Sequence, residues 1–91
     1  MYYFYILQCA DDKRYYGYTN DLKRRLKEHQ RGKNISTKRR RPLKVVYYET
    51  FDSKDSAEAR EKKFKGGRTR KAKIEKLINE FPPELLAEFH P

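Results

Sequence analysis

The chain opens on an alternating run. Tyr3, Tyr5, Leu7 and Cys9 fall on one side of an extended backbone, with Tyr2, Phe4, Ile6 and Gln8 on the other. Aromatic density with this period predicts a strand over residues 2–9. Asp11-Asp12-Lys13 supplies turn chemistry. A second strand over Arg14 to Thr19 completes an antiparallel hairpin. The period then changes. Leu22, Arg25, Leu26 and His29 are spaced three and four apart, which predicts a helix whose stripe faces the sheet. Thr19, Asn20 and Asp21 are its N-cap candidates, and Gly32 is its stop.

Residues 32–43 form a polar, basic loop closed by Pro42. Lys44 to Phe51 reads as a third strand through Val45, Val46, Tyr47 and Tyr48. Asp52 or Ser53 caps a second helix from Lys54 to Lys65, on which Ala57, Arg60, Glu61 and Phe64 share a face. Gly66-Gly67 breaks it. A third helix runs from Thr69 to Glu80, with Ile74, Leu77 and Ile78 as its apolar side, and Pro82-Pro83 ends it. The order β-β-α-β-α-α predicts an α+β fold: a small sandwich with a three-stranded, mainly antiparallel sheet flanked by helices. Residues 1–81 make the domain and residues 82–91 a C-terminal tail, where 84–89 either pack as a short helix or fray.

Two positions break the helical stripe. Arg25 and His29 stand where leucine is the ordinary choice, and burying charge without a partner is expensive. Composition sharpens the question. Charged residues make up 40% of the chain, a level that suggests disorder, but thirteen aromatic side chains (eight Tyr, five Phe) give it a core to bury. The net charge of +10 is clustered on Lys23–Lys27, on Lys38–Arg41 and between Arg60 and Lys76. Such clustering favours an anionic partner, nucleic acid above all, over a merely solvated basic surface.

Cys9 is the only cysteine, so an internal disulfide is excluded and a reducing compartment fits. With two histidines besides, the chain lacks the usual ligands of a tetrahedral zinc site. The apolar start is too short to span a bilayer and has no signal-peptide pattern, so the expected location is cytoplasmic, with no membrane partner. Cys9 reads as structural and His90 as a tail residue.

Tyr3-Phe4-Tyr5, Tyr15-Tyr16-Gly17, Arg25, His29 and Glu61 together resemble the GIY-YIG nuclease superfamily. The stretch Gly17-Tyr18-Thr19-Asn20-Asp21-Leu22, with Arg25-Leu26 and His29 behind it, carries the resemblance more specifically than the two tripeptides. It is most similar to small stand-alone bacterial members, and also to the nuclease domain of structure-specific endonucleases. The resemblance implies a metal-dependent endonuclease acting on DNA, within a repair or recombination setting. Glu61 would anchor Mg²⁺ or Mn²⁺, Tyr5 and Tyr15 would position and deprotonate the attacking water, Arg25 would hold the phosphate, and His29 would transfer a proton or contact phosphate.

Tyrosine has a free pKa near about 10, so it needs nearby positive charge to act as a base at neutrality. Lys38, Arg39, Arg40, Arg41, Lys65, Arg68, Arg70, Lys71 and Lys73 are the candidate phosphate contacts. Substrate selection, whether of branched or single-stranded DNA, falls to these basic segments or to a protein partner. Two departures stand out. Tyr3 occupies a position that is glycine in many members, and Tyr18 one that is lysine in several larger nucleases.

Each candidate also has a plain structural role available. Tyr5 and Tyr15 fill sheets well, and Gly17 suits a bulge. Arg25 can cover apolar surface with its stem, and His29 can sit as a cation at a helix end. Glu61 can pair with Lys65 at i,i+4 for about 0.2–0.5 kcal/mol. The competing function is a non-catalytic nucleic-acid-binding module that keeps the nuclease fold. An RNA- or ribosome-associated role rests on charge alone.

Overall fold

The computed structural model describes residues 1–89, so His90 lies outside the described residues. The hairpin strands are β1 (Tyr2–Cys9) and β2 (Arg14–Thr19), followed by α1 (Leu22–Gln30). After them come β3 (Leu43–Phe51), α2 (Lys54–Lys65) and α3 (Lys71–Glu80). Three-residue-per-turn helices occupy Lys38–Arg40, inside the basic loop, and Pro83–Phe89. The sheet order is β2-β1-β3 with both pairings antiparallel, so the predicted α+β order and sheet are present. The third helix starts two residues later than its pattern predicts. Thr69 does not enter it, and Arg70, with extended ψ, becomes its N-cap without a side-chain bond.

The alternation in β1 resolves into two cores. On one face Tyr5, Leu7 and Cys9 pack with Leu22 and Leu26 of α1, Leu43 and Val45 of β3, and Phe89. On the other, Phe4, Ile6 and Tyr47 pack with Phe64 of α2 and Ile74 of α3. The central strand is thus covered on both sides, each such aromatic or aliphatic side chain gaining about 1.5–3 kcal/mol from burial. A bulge opposite Ile6 and Leu7 puts Val46 and Tyr47 together on the α2 side, which returns Tyr48 to the Tyr5 side.

Local chemistry sets the helix ends. Asp21 caps α1, its Oδ1 accepting the Arg24 N–H at 3.1 Å. Gly32 follows the helix at φ 78°, where a side chain would be strained, and donates to the His29 carbonyl at 3.1 Å. Ser53 caps α2 by accepting the Ser56 N–H at 3.2 Å. Arg60 ties that helix to β3 through a forked pair with Glu49, at 2.9 and 3.0 Å, while its guanidinium lies 4.9 Å from the Phe64 ring centre. Arg14 of β2 pairs in the same forked way with Glu75 of α3.

The pairing register aligns Tyr5 with Gly17, and here glycine is required. A Cβ at 17 would stand 2.5 Å from Tyr5 Oη, 2.6 Å from its Cζ and 3.0 Å from Tyr15 Cε2. The Tyr5 ring therefore lies across the backbone of β2 in the space that a side chain would fill. Tyr5 is only 1% exposed, so the ring has no room to swing aside. Gly17→Ala is expected to lower unfolding free energy by about 1–3 kcal/mol, the usual cost of overpacking. Urea titration of the two proteins checks this; an unchanged midpoint would show that the ring can give way.

Candidate active site

Tyr5 crosses Gly17 and meets the end of α1. His29, the last residue of the helical stripe, is fully buried, and its Nε2 lies 2.9 Å from Tyr5 Oη. Its other ring nitrogen, Nδ1, lies 2.8 Å from Thr37 Oγ1 in the basic loop. Tyr15 faces the same side from β2, its ring centre 5.0 Å from that of His29 and 6.3 Å from that of Tyr5. One turn earlier on α1, Arg25 is half-buried and its Nη1 donates to Glu28 at 3.0 Å.

The second helix contributes from the opposite face of the sheet. Phe64 anchors α2 beneath Phe4 and Tyr16, with ring centres 4.7 and 5.6 Å away. Lys65, next in sequence, reaches around the β2 edge until its Nζ is 5.4 Å from the centre of the Tyr15 ring. The same Nζ lies 3.7 Å from a Glu61 carboxylate oxygen. Glu61 and Tyr15 thus flank one ammonium group, and the Glu61 side chain is 13% exposed. All five predicted residues, Tyr5, Tyr15, Arg25, His29 and Glu61, gather around this edge.

Burial decides the protonation of the central pair. It pushes the Tyr5 phenol well above its usual range; Tyr15 and Glu61 add to the rise, and the Arg25 guanidinium opposes it without prevailing. Burial also pulls His29 down to about 4, helped by Arg25 and resisted by Glu28. At neutral pH the pair is an intact phenol against an uncharged imidazole. A positively charged helix-end role for His29 is therefore excluded. The Glu61–Lys65 pairing does form, so that plain reading of Glu61 coexists with its place at the edge.

The basic candidates separate by what they touch. Arg40 is spent inside the fold: its Nε donates to Asp11 at 3.0 Å and its Nη2 to the Arg14 carbonyl at 3.4 Å. Arg41 donates to the Lys38 and Gln30 carbonyls at 2.8 and 3.1 Å. Lys38 and Arg39 are exposed and, with Gln30, Arg41 and Pro42, line a cavity of about 530 Å³. Arg68, Arg70, Lys71 and Lys73 are exposed along the α2–α3 connection and the first turn of α3. Lys65 stands apart from them, at the Tyr15–Glu61 edge.

Sequence reasoning passed over three residues. Arg24 and Lys54 line a cavity of about 490 Å³ with Arg25, Glu28, Tyr2 and Tyr18. Their charge was visible, but nothing in the chain tied them to Arg25. Thr37 looked like one more polar loop residue. The Tyr18 hydroxyl points to Glu58 of α2 at 3.4 Å, so the tyrosine at the lysine position is directed away from Tyr5.

No cluster of three His, Cys, Asp or Glu side chains exists among the described residues. Among the described residues, Glu61 offers the Tyr15 side of this edge a carboxylate paired with the exposed Lys65 at 3.7 Å. That donor set fits a hard ion such as Mg²⁺, which keeps most of its waters and takes one or two carboxylates.

The family model described as the GIY-YIG catalytic domain matches residues 1–75. A UPF0213 protein of Streptococcus pyogenes serotype M5 (strain Manfredo) is 48% identical over 73 residues, 79% of each chain. One of serotype M3 (strain ATCC BAA-595 / MGAS315) is 47% identical over the same span. The solution NMR structure of a UPF0213 protein from Bacillus halodurans is 37% identical, with a TM-score of 0.51. That match covers 87% of this chain and 84% of the other.

The depressed His29 pKa has a consequence for stability. The unfolded chain binds this proton near pH 6.5 and the folded chain only near about 4, so acid favours unfolding across that window. The stability present above pH 6.5 should fall by about 3 kcal/mol as pH drops to 4, at roughly 1.4 kcal/mol per unit. Guanidinium titrations at several pH values check it. His29→Gln should remove this part of the slope and leave the carboxylate part below pH 4.5.

Proposed function

This chain belongs to the GIY-YIG catalytic-domain family, and from that premise we propose that it is an endonuclease hydrolysing DNA phosphodiester bonds with Mg²⁺ or Mn²⁺. The carrying observation is the convergence of Tyr5, Tyr15 and His29 from one face of the sheet with Glu61 from the other. Glu61 would hold the ion. When bound, the ion supplies charge neutralisation on the phosphate and a lowered pKa for water.

The remaining work falls to the chain's own side chains. Arg25, with Arg24 and Lys54 beside it, binds the phosphate oxygens in the cavity they share. Tyr15, the less buried tyrosine, orients the attacking water at the open edge. Tyr5 becomes a base only by passing its proton to His29 Nε2, because burial keeps its phenol intact. Lys65 provides positive charge beside Tyr15. The exposed cations Lys38, Arg39, Arg68, Arg70, Lys71 and Lys73 contact backbone phosphates, a mode that gives little sequence preference.

The raised Tyr5 pKa favours a second reading, a binding module without catalysis. One variant separates the two. Glu61→Gln should reduce nicking of supercoiled and branched DNA to the level seen in EDTA, with gel-shift affinity little changed. Metal-dependent nicking that persists in this variant would remove Glu61 from the mechanism. If the wild-type protein binds DNA tightly yet nicks none with either metal, the binding module is the correct reading.

A further inference from the structure

His29 can serve Tyr5 as a proton acceptor in only one tautomer. A neutral imidazole has one N–H and one bare nitrogen, and the partner of one decides the other. The partners here can be ordered. Among the described residues, His29 Nε2 is the one acceptor bonded to the Tyr5 hydroxyl, and the neighbouring Arg25 has donors alone. On the far side, Thr37 Oγ1 lies 2.8 Å from Nδ1 and 3.5 Å from the Asn34 carbonyl. A carbonyl only accepts. Turning its proton to that carbonyl frees the Thr37 oxygen to accept from Nδ1–H, which leaves Nε2 bare for the Tyr5 hydroxyl.

We propose that Thr37 is a positioning residue that holds His29 as the Nδ1–H tautomer, so that Nε2 accepts the Tyr5 proton. The step is a transfer of one proton from Tyr5 Oη to Nε2, giving a phenolate beside an imidazolium. This inference rests on the nuclease reading for its purpose, though not for its geometry.

The loop is built to hold Thr37 still. Thr37 is fully buried, a rare setting for a hydroxyl in a segment so polar. Its N–H and that of Lys38 both donate to the Asn34 carbonyl, at 3.1 and 2.9 Å. Its own carbonyl accepts from the Arg40 N–H at 2.9 Å. Arg40 in turn is fastened to the hairpin turn by its side chain and by its carbonyl, which accepts from Ala10 N–H at 2.9 Å. Half-buried Arg40, and Arg41 through its bonds to the Lys38 and Gln30 carbonyls, are thus the pins of the loop that delivers Thr37. The charged and titratable groups around His29 are Tyr5 and Tyr15 from the strands and Arg25 and Glu28 from α1. None of these touches Nδ1.

Long-range ¹H–¹⁵N correlation spectra of the imidazole, recorded near neutral pH, read the tautomer directly. The wild type should show protonated Nδ1 and bare Nε2. Thr37→Val keeps the shape but strands the Nδ1 proton, so the ring should flip to Nε2–H or populate both forms. Thr37→Ser should retain the wild-type pattern, and so should Tyr5→Phe, because the loop and not the tyrosine fixes the ring. Cleavage should fall roughly 10-fold to 100-fold in Thr37→Val, as when outer partners of oriented histidines are lost, and recover in Thr37→Ser.

An Nε2–H wild type, an unaltered tautomer in Thr37→Val, or a flip in Tyr5→Phe each overturns the proposal. If Thr37→Val fails to fold, the wild type and Tyr5→Phe still decide it. Wild-type protein that cuts no DNA would overturn the nuclease reading while leaving the tautomer assignment to these spectra.

Discussion

The space above Gly17 is the constraint on which the site depends. Tyr5 lies in the middle of the central strand, where both faces are under helices, and its hydroxyl must find a partner. Over a normal β2 residue the ring would stand off the sheet and displace α1. With no Cβ at 17 it lies flat across the edge strand and brings Oη to His29. The same gap lets Tyr15 close to 6.3 Å from Tyr5. One absent side chain thus admits a polar pair into a layer otherwise built of Leu7, Leu22, Leu26 and Val45.

A second consequence is electrical. Burial acts on Tyr5 and His29 in opposite directions and leaves both uncharged. An ion pair at this depth would need several kcal/mol of compensation, which Arg25 alone does not supply. The fold therefore keeps the Tyr5 proton in its least expensive form, on the phenol. Charge is kept at the rim instead, where Arg25, Glu61 and Lys65 remain partly solvated. On the proposed nuclease reading, moving the Tyr5 proton would need further positive charge at that rim, which would tie the base to the loaded state of the site.

Much of this was legible in the chain. The alternation of residues 2–9 located β1, and Lys54–Lys65 was bounded correctly because Ser53 and Gly66-Gly67 act locally. Arg25 and His29 betrayed themselves as polar residues on a leucine stripe. What was hidden was long-range. Thr37 is eight residues from His29, in a stretch with no period, and its burial depends on Arg40 reaching the hairpin turn. Arg40 and Arg41 looked like their neighbours Lys38 and Arg39 because sequence reports charge and not where a guanidinium is spent. Lys65 showed its i,i+4 pairing with Glu61, but its approach to Tyr15 depends on the crossing of α2 and β2.

That crossing explains why chemistry gathers where it does. A three-stranded sheet covered on both faces keeps its helical layers apart, since side chains of α1 and α2 cannot meet through β1. They can meet only around an edge. β2 is one of the two edge strands, six residues long, with glycine where a side chain would obstruct. Edge strands are ordinarily a liability, to be blunted by charge or cover. Here Lys65 and Glu61 from one layer and Tyr15 from the other close over that edge, and Arg14 fastens it to Glu75. The cover that protects the edge is made of the groups a phosphodiester would need, so the exposed strand and the candidate site are one solution to two problems.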